Sequence, residues 1–192
     1  MGPRFILASG SPRRRQLLGE AGYEFEVLSP PVDELAHGWV TIRELTIWNA
    51  ARKAARVSEM APDAVVLAAD TLVAIDGDVL GKPADFEDAV RILRRLSGRA
   101  HEVWTAIRIN HAARGQSRSF HEMSRVHFRK LDDRAIRDYL AKIDPLDKAG
   151  AYAAQGHGAE IIDRIEGSYT NVVGLPMEET ARVLRAFGVT NR

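Results

Sequence analysis

Three consecutive arginines, Arg13, Arg14 and Arg15, follow the run Phe5-Ile-Leu-Ala-Ser9-Gly-Ser11-Pro12. The apolar start reads as a strand over 4–9, and the Ser-Gly-Ser turn leads into a helix over 12–22. Ser11 suits the N-cap, and Pro12 suits the first helical position, where a missing N–H costs nothing. Arginines in a first helical turn oppose the helix macrodipole, whose positive end lies there. The conflict disappears if the turn holds an anion. Free backbone N–H groups, the dipole and guanidinium forks then act on the same oxygens, with the Ser9 hydroxyl as a further donor. Local rules are broken most often at functional sites. The segment therefore reads as a phosphate or carboxylate site, with a solvated basic patch as the alternative.

A second segment, Ala68-Ala-Asp70-Thr71 through Gly81-Lys82-Pro83, sets a carboxylate directly after the apolar run Val65–Ala69. A carboxylate at the carboxyl end of a buried strand lies where α/β proteins place ligands. Asp70 there can hold a divalent cation or take a proton from water. A turn or cap role is its alternative, weakened by the lysine and arginine cluster around it. Lys82, between glycine and proline, has a rigid backbone. A third segment, Asp144 to Gly158, holds three glycines, Lys148 and Gln155, and reads as a binding loop. The Gln155 amide offers a donor and an acceptor, which suits a base edge. A fourth, Gly167 to Pro176, reads as a structural turn into the last helix, with Pro176 at its first position.

The elements that carry these residues alternate between strand and helix, which favours an α/β fold. A strand over 24–28 precedes a loop over 30–40 with Asp33 and Glu34. A long helix over 41–60 ends before Pro62. Residues 65–69 form an apolar strand of the kind buried on both faces. Asp76-Gly77 marks a hairpin between 72–75 and 79–80. An amphipathic helix spans 85–97, capped by Asp85 and ended by Gly98. Two long strands, 101–111 and 117–129, form a meander, so the sheet is mixed. A helix over 132–142, a strand over 159–165 and a helix over 176–187 complete one domain, 1–192.

With 192 residues, 45% hydrophobic and 28% charged, the chain has the composition of a soluble globular protein. A net charge of +1 and a pI near 8.1 argue against extended nucleic-acid binding. The absence of cysteine excludes disulfides, thiol catalysis and thiolate metal sites, and suits a cytoplasmic location. No apolar run approaches the ~18 residues of a membrane span, and none at the N-terminus has signal-peptide length. The six histidines lack zinc-motif spacing, and the P-loop, GxGxxG and Gly-x-Ser-x-Gly patterns are missing.

Together these segments resemble the Maf family of nucleoside triphosphate pyrophosphatases. The matching pieces are LASGSPRR at 7–14, VDE at 32–34, Lys53-Ala54, AADTLV and LGKP within 68–83, and LSG-x-x-H at 96–101. They continue with FRKL at 128–131, DKAGAY-x-x-QG at 147–156 and GSYTNVVGLP at 167–176. They run in the family's order over nearly the whole chain. The resemblance implies a homodimeric enzyme with a three-layer, inosine-triphosphatase-like fold and a nucleotide-binding cleft. It implies hydrolysis of a nucleoside triphosphate between the α- and β-phosphates with Mg²⁺ or Mn²⁺. Asp70 would be the general base, and Arg13, Thr71 and Gln155 would shape base choice. The DKAGAY-x-x-QG form is similar to the branch acting on dTTP and UTP rather than the one preferring 7-methyl-GTP. Where the family commonly has Gly-Ile, this chain has Ala153-Ala154.

Residues and resemblance meet in one expected mechanism. Arg13, Arg14, Lys53, Lys82 and Lys148 neutralise the triphosphate, Ser9 adds hydrogen bonds, and Asp70 takes a proton from the attacking water. Glu34 joins Asp70 as a metal ligand, with a solvated loop acid as its alternative. A regulator of cell division that binds nucleotide or nucleic acid without turnover is the other function class. A pure binder does not need Asp70 beside so many cations.

Overall fold

The computed structural model describes residues 2–33, 35 and 40–192. The strands are β1 (Phe5–Leu7), β2 (Glu26–Val27), β3 (Val65–Ile75), β4 (Asp78–Leu80), β5 (Ala100–His111), β6 (Gln116–Phe128) and β7 (Ile162–Glu166). The helices are α1 (Pro12–Glu20), α2 (Ile42–Met60), α3 (Phe86–Leu96), α4 (Asp133–Leu140), α5 (Gly158–Ile161), α6 (Tyr169–Val173) and α7 (Met177–Ala186). The seven strands form one mixed sheet in the order β2-β1-β3-β5-β6-β7, with β4 paired to β3. β1 runs parallel to β2 and β3, whereas β3/β4 and β6/β7 are antiparallel. Among the described residues no helix is long and apolar enough to cross a membrane.

The chain divides into two compact units. The first comprises the residues up to Asp70, Thr105–Glu122 and Gly174–Arg192; the second comprises Thr71–Trp104 and Met123–Val173. The first is built on α2. Thr41 and Glu44 close a capping box at its start, which satisfies otherwise orphaned N–H groups. Small residues then let the helix approach β1 and β3: Ala54, Val57 and Ala61 pack on Ile6, Ala8, Val66 and Ala68. The second unit packs α3 and α4 on its strands through Val90, Leu93, Leu96, Ile136 and Tyr139. Its hairpin has the expected turn: Asp76 and Gly77 both take positive φ, 56° and 83°, as a type I′ turn requires.

Several boundaries differ from the sequence reading. The apolar strand at 65–69 and the piece at 72–75 are one eleven-residue strand, β3. Ser11 holds the N-cap position of α1, but its hydroxyl makes no capping bond; Pro12 has no N–H, and the Ser9 hydroxyl accepts from Ser11 N at 3.3 Å. The strand expected over 159–165 begins with α5. Gly158 N donates to Gln155 O and Glu160 N to His157 O, and these local bonds win over the apolar run until Ile162. The Gly167–Pro176 segment, expected as a turn into the last helix, contains α6, and Pro176, expected at the first position of that last helix, is the N-cap of α7. Asn171 donates to Val103 O at 3.1 Å and Ser124 Oγ at 2.9 Å.

His101, at the end of the LSG-x-x-H segment, is 2% exposed. Its Nε2 lies 2.8 Å from the Tyr152 hydroxyl, and its ring meets Phe128 and Tyr152 edge-on. Burial, and to a smaller degree the His127 charge, pushes the imidazole down to about 4. An unfolded histidine titrates near 6.5. Between these values the unfolded chain holds a proton that the folded one rejects. The stability carried by neutral His101 is therefore complete above about pH 6.5 and is lost as pH falls towards 4, by on the order of 1 kcal/mol per pH unit. Urea unfolding measured across this window is expected to show the slope, and His101→Gln is expected to flatten it. Equal slopes in both proteins would contradict the assignment.

Candidate active site

Asp70 ends the fully buried half of β3; Val65 to Asp70 are all buried, and Thr71 and Leu72 are half-buried. The sequence placed it just past a strand end, but it lies within β3. What ends nearby is β1. Its parallel pairing covers Phe5↔Val65, Ile6↔Val66 and Leu7↔Leu67, and Ala8 N donates the last bond to Leu67 O at 2.7 Å. Asp70 thus lies past the carboxyl end of β1, where the chain turns away into Ser9-Gly-Ser11.

Two residues of α2 hold the carboxylate, which is 4% exposed. Lys53 Nζ lies 2.7 Å from Oδ1, and Asn49 Nδ2 donates to Oδ2 at 3.3 Å. Residues four apart share a helix face, so adjacent turns of α2 grip both oxygens. The flanking Ala50 and Ala54 are buried and bring the helix close enough. A buried carboxylate is costly unless paired and hydrogen-bonded, and removing one partner of a buried ion pair costs about 3–5 kcal/mol. Asn49 also clasps Leu35: Oδ1 accepts from Leu35 N at 2.9 Å and Nδ2 donates to Leu35 O at 3.0 Å. Sequence reasoning missed Asn49. Its signal was a carboxamide one turn before Lys53 on an otherwise small and apolar stripe.

Arg14 is buried and divides its guanidinium between main chain and Ser9. Nε donates to Gly174 O at 2.8 Å, and Nη1 donates to Ser9 Oγ at 2.9 Å and Ala69 O at 3.0 Å. It therefore ties the Ser9 turn to the residue before Asp70 and to the turn before α7. Arg13, beside it in the first turn of α1, is half-buried. Ser9, Arg14, Lys53 and Asp70 are thus gathered in the first unit.

Thr71, Lys82, Lys148 and Gln155 belong to the second unit. There Gly150 N donates to Gly81 O at 3.1 Å, which joins the Lys82 and Lys148 loops. Gly150 has φ 72°, and a Cβ on it would meet the Val73 methyls at 3.1 Å, so both space and backbone demand glycine. Ala151 follows with φ 60°. A non-glycine residue held there is strained, as binding loops often are. Lys148 Nζ donates to Asp144 O and to the Asp147 carboxylate. Gln155 is half-buried, and its carbonyl accepts from Gly158 N at 3.3 Å.

Among the described residues no three His, Cys, Asp or Glu side chains form a metal cage. Glu34, expected as a ligand, lies outside the described residues. Asp70 by itself fits a magnesium-like ion that is carried in by its ligand. Such ions take one or two protein carboxylates and fill the remaining positions with phosphate oxygens and water. Each carboxylate oxygen has a second lone pair beyond the bond to Lys53 or Asn49.

The family model for Maf-like protein matches residues 4–187. A relative called dTTP/UTP pyrophosphatase from Pelotomaculum thermopropionicum is 48% identical over 183 residues, 95% of this chain and 96% of that one. Proteins of the same name from Carboxydothermus hydrogenoformans and Bacillus pumilus are 42% and 41% identical. They cover 96% and 97% of this chain and 99% and 98% of their own lengths. Among solved structures, the Staphylococcus aureus Ham1 protein has a TM-score of 0.46 at 15% identity, over 65% of this chain and 71% of that one. With the match running from Arg4 to Phe187, the chain belongs to the Maf-like protein family.

Proposed function

We propose that this protein hydrolyses nucleoside triphosphates between the α- and β-phosphates, with dTTP and UTP as its preferred substrates. The observation that carries the reading is the Asp70 carboxylate, buried and held on both oxygens by Lys53 and Asn49 next to the Arg14-braced Ser9 turn. The shared name of the relatives supports the same reaction and the same bases. Asp70 acts as general base. It takes a proton from a water whose oxygen bonds to the α-phosphorus, and the bond from that phosphorus to the bridging oxygen breaks, releasing pyrophosphate. Arg13, Lys82 and Lys148 offset the triphosphate charge together with Lys53. Arg14 keeps the Ser9 turn in place through its main-chain bonds. Asp70, with Glu34 as the expected second ligand, would hold a divalent cation, which would supply charge neutralisation on the phosphate oxygens. Gln155 reads the O4/N3–H edge shared by uracil and thymine, because its amide has both a donor and an acceptor.

The purified protein is expected to release pyrophosphate from dTTP and UTP, and to stop when EDTA removes the metal. Orthophosphate as the first product would contradict α–β cleavage. Asp70→Asn keeps the shape and loses the proton acceptor. Its kcat is expected to fall by on the order of 10²–10⁴-fold, with a circular dichroism spectrum like that of the unaltered protein; retained turnover would remove Asp70 from the reaction. For base choice, sites built on hydrogen bonds reject mismatched edges strongly. The kcat/KM of UTP over CTP is expected to narrow in Gln155→Glu, since a carboxylate has no donor. A panel in which the two ratios agree would refute the base-edge role.

A further inference from the structure

We propose that Asn49 is a positioning residue for this hydrolysis. Its carboxamide orients the Asp70 carboxylate and clamps the main chain at Leu35, so one side chain ties the general base to the main chain at that residue. The inference rests on the pyrophosphatase reading and deepens it.

Asn49 is 2% exposed on a helix face shared with Leu45, Ala50, Ala54 and Val57. Burying a carboxamide there is unfavourable unless its polar atoms are bonded. Both its donor directions and its acceptor are used: Nδ2 on Leu35 O and Asp70 Oδ2, Oδ1 on Leu35 N. The exchange of both main-chain groups of one residue imitates a strand pair and fixes that residue against α2. Leu35 itself is 41% exposed, so the clasp holds a surface residue and not a core one. Lys53 offsets the charge of Asp70, but an ammonium on a flexible four-carbon stem sets no plane. The short, planar Asn49 amide on the second oxygen defines how the carboxylate is turned.

Asn49→Leu conserves the approximate volume and deletes all three bonds. Thr46→Val is the control: Thr46 is buried on the same face, and its hydroxyl donates to the helix carbonyls of Ile42 and Arg43 at 3.0 and 2.9 Å. Steady-state kinetics with UTP and hydrogen exchange at the Leu35 amide are measured on both variants. In Asn49→Leu, kcat is expected to fall on the order of 10- to 100-fold, the scale of a misplaced catalytic group. KM is expected to stay within about threefold, because the interaction lost is not one of ground-state binding. Leu35 exchange is expected to accelerate in Asn49→Leu, whereas Thr46→Val keeps both the wild-type kcat and the wild-type exchange. An unchanged kcat in Asn49→Leu, equal kcat losses in the two variants, or unchanged Leu35 exchange would each overturn the proposal while the wild-type protein still turned over. A wild-type protein that releases no pyrophosphate from any nucleoside triphosphate would instead overturn the pyrophosphatase reading, and the catalytic role of Asn49 with it.

Discussion

The candidate site depends on keeping one carboxylate charged and fixed inside the protein. Asp70 is 4% exposed at the end of a run of apolar residues, an environment that disfavours any unpaired charge. Its two oxygens meet two donors from adjacent turns of α2. Neither donor suffices in the same way. Lys53 cancels charge, and Asn49 supplies direction. Losing the ammonium would leave a buried charge uncompensated, which is the expensive way to break a buried pair. The pair therefore contributes specificity of placement more than net stability.

That requirement explains the local architecture. α2 must come close to β3, and its buried stripe is rich in alanine where it does so. β1 stops short of Asp70 in the sheet. It ends at Leu7, and the carbonyl of Ala69 finds Arg14 Nη1 in place of a β1 partner. The same guanidinium holds Ser9 Oγ and Gly174 O. The local conflict of arginines at a helix start is thus resolved in part inside the protein. Arg14 spends its donors on main-chain carbonyls and a hydroxyl. Arg13 and Arg15, in the same turn, are half-buried and exposed.

Much of this was legible from residue types and order. The Asp-Gly turn announced the β3/β4 hairpin through its need for positive φ, and the Ser9-to-Arg15 stretch announced the β1/α1 turn. The length of β3 was not legible. Asp70 and Thr71 interrupt the apolar run, and only the pairing of their neighbours shows that the strand continues. The α5 helix was misread because a short apolar run carries no period that separates strand from helix; the bonds from Gly158 and Glu160 back to Gln155 and His157 decide it. Asn49 was invisible for a different reason. A polar residue in a helix stripe gains meaning only when its partners, here 14 residues before and 21 residues after it, are brought to it by the fold.

A crystal structure of the protein with α,β-methylene-UTP, which cannot be cleaved at the proposed bond, tests the central claim most directly. The account expects one water between the Asp70 carboxylate and the α-phosphorus, within hydrogen-bond reach of the carboxylate and opposite the bridging methylene, with Lys53 and Asn49 still on Asp70. An α-phosphorus far from Asp70, or a carboxylate turned away from the nucleotide, would contradict it.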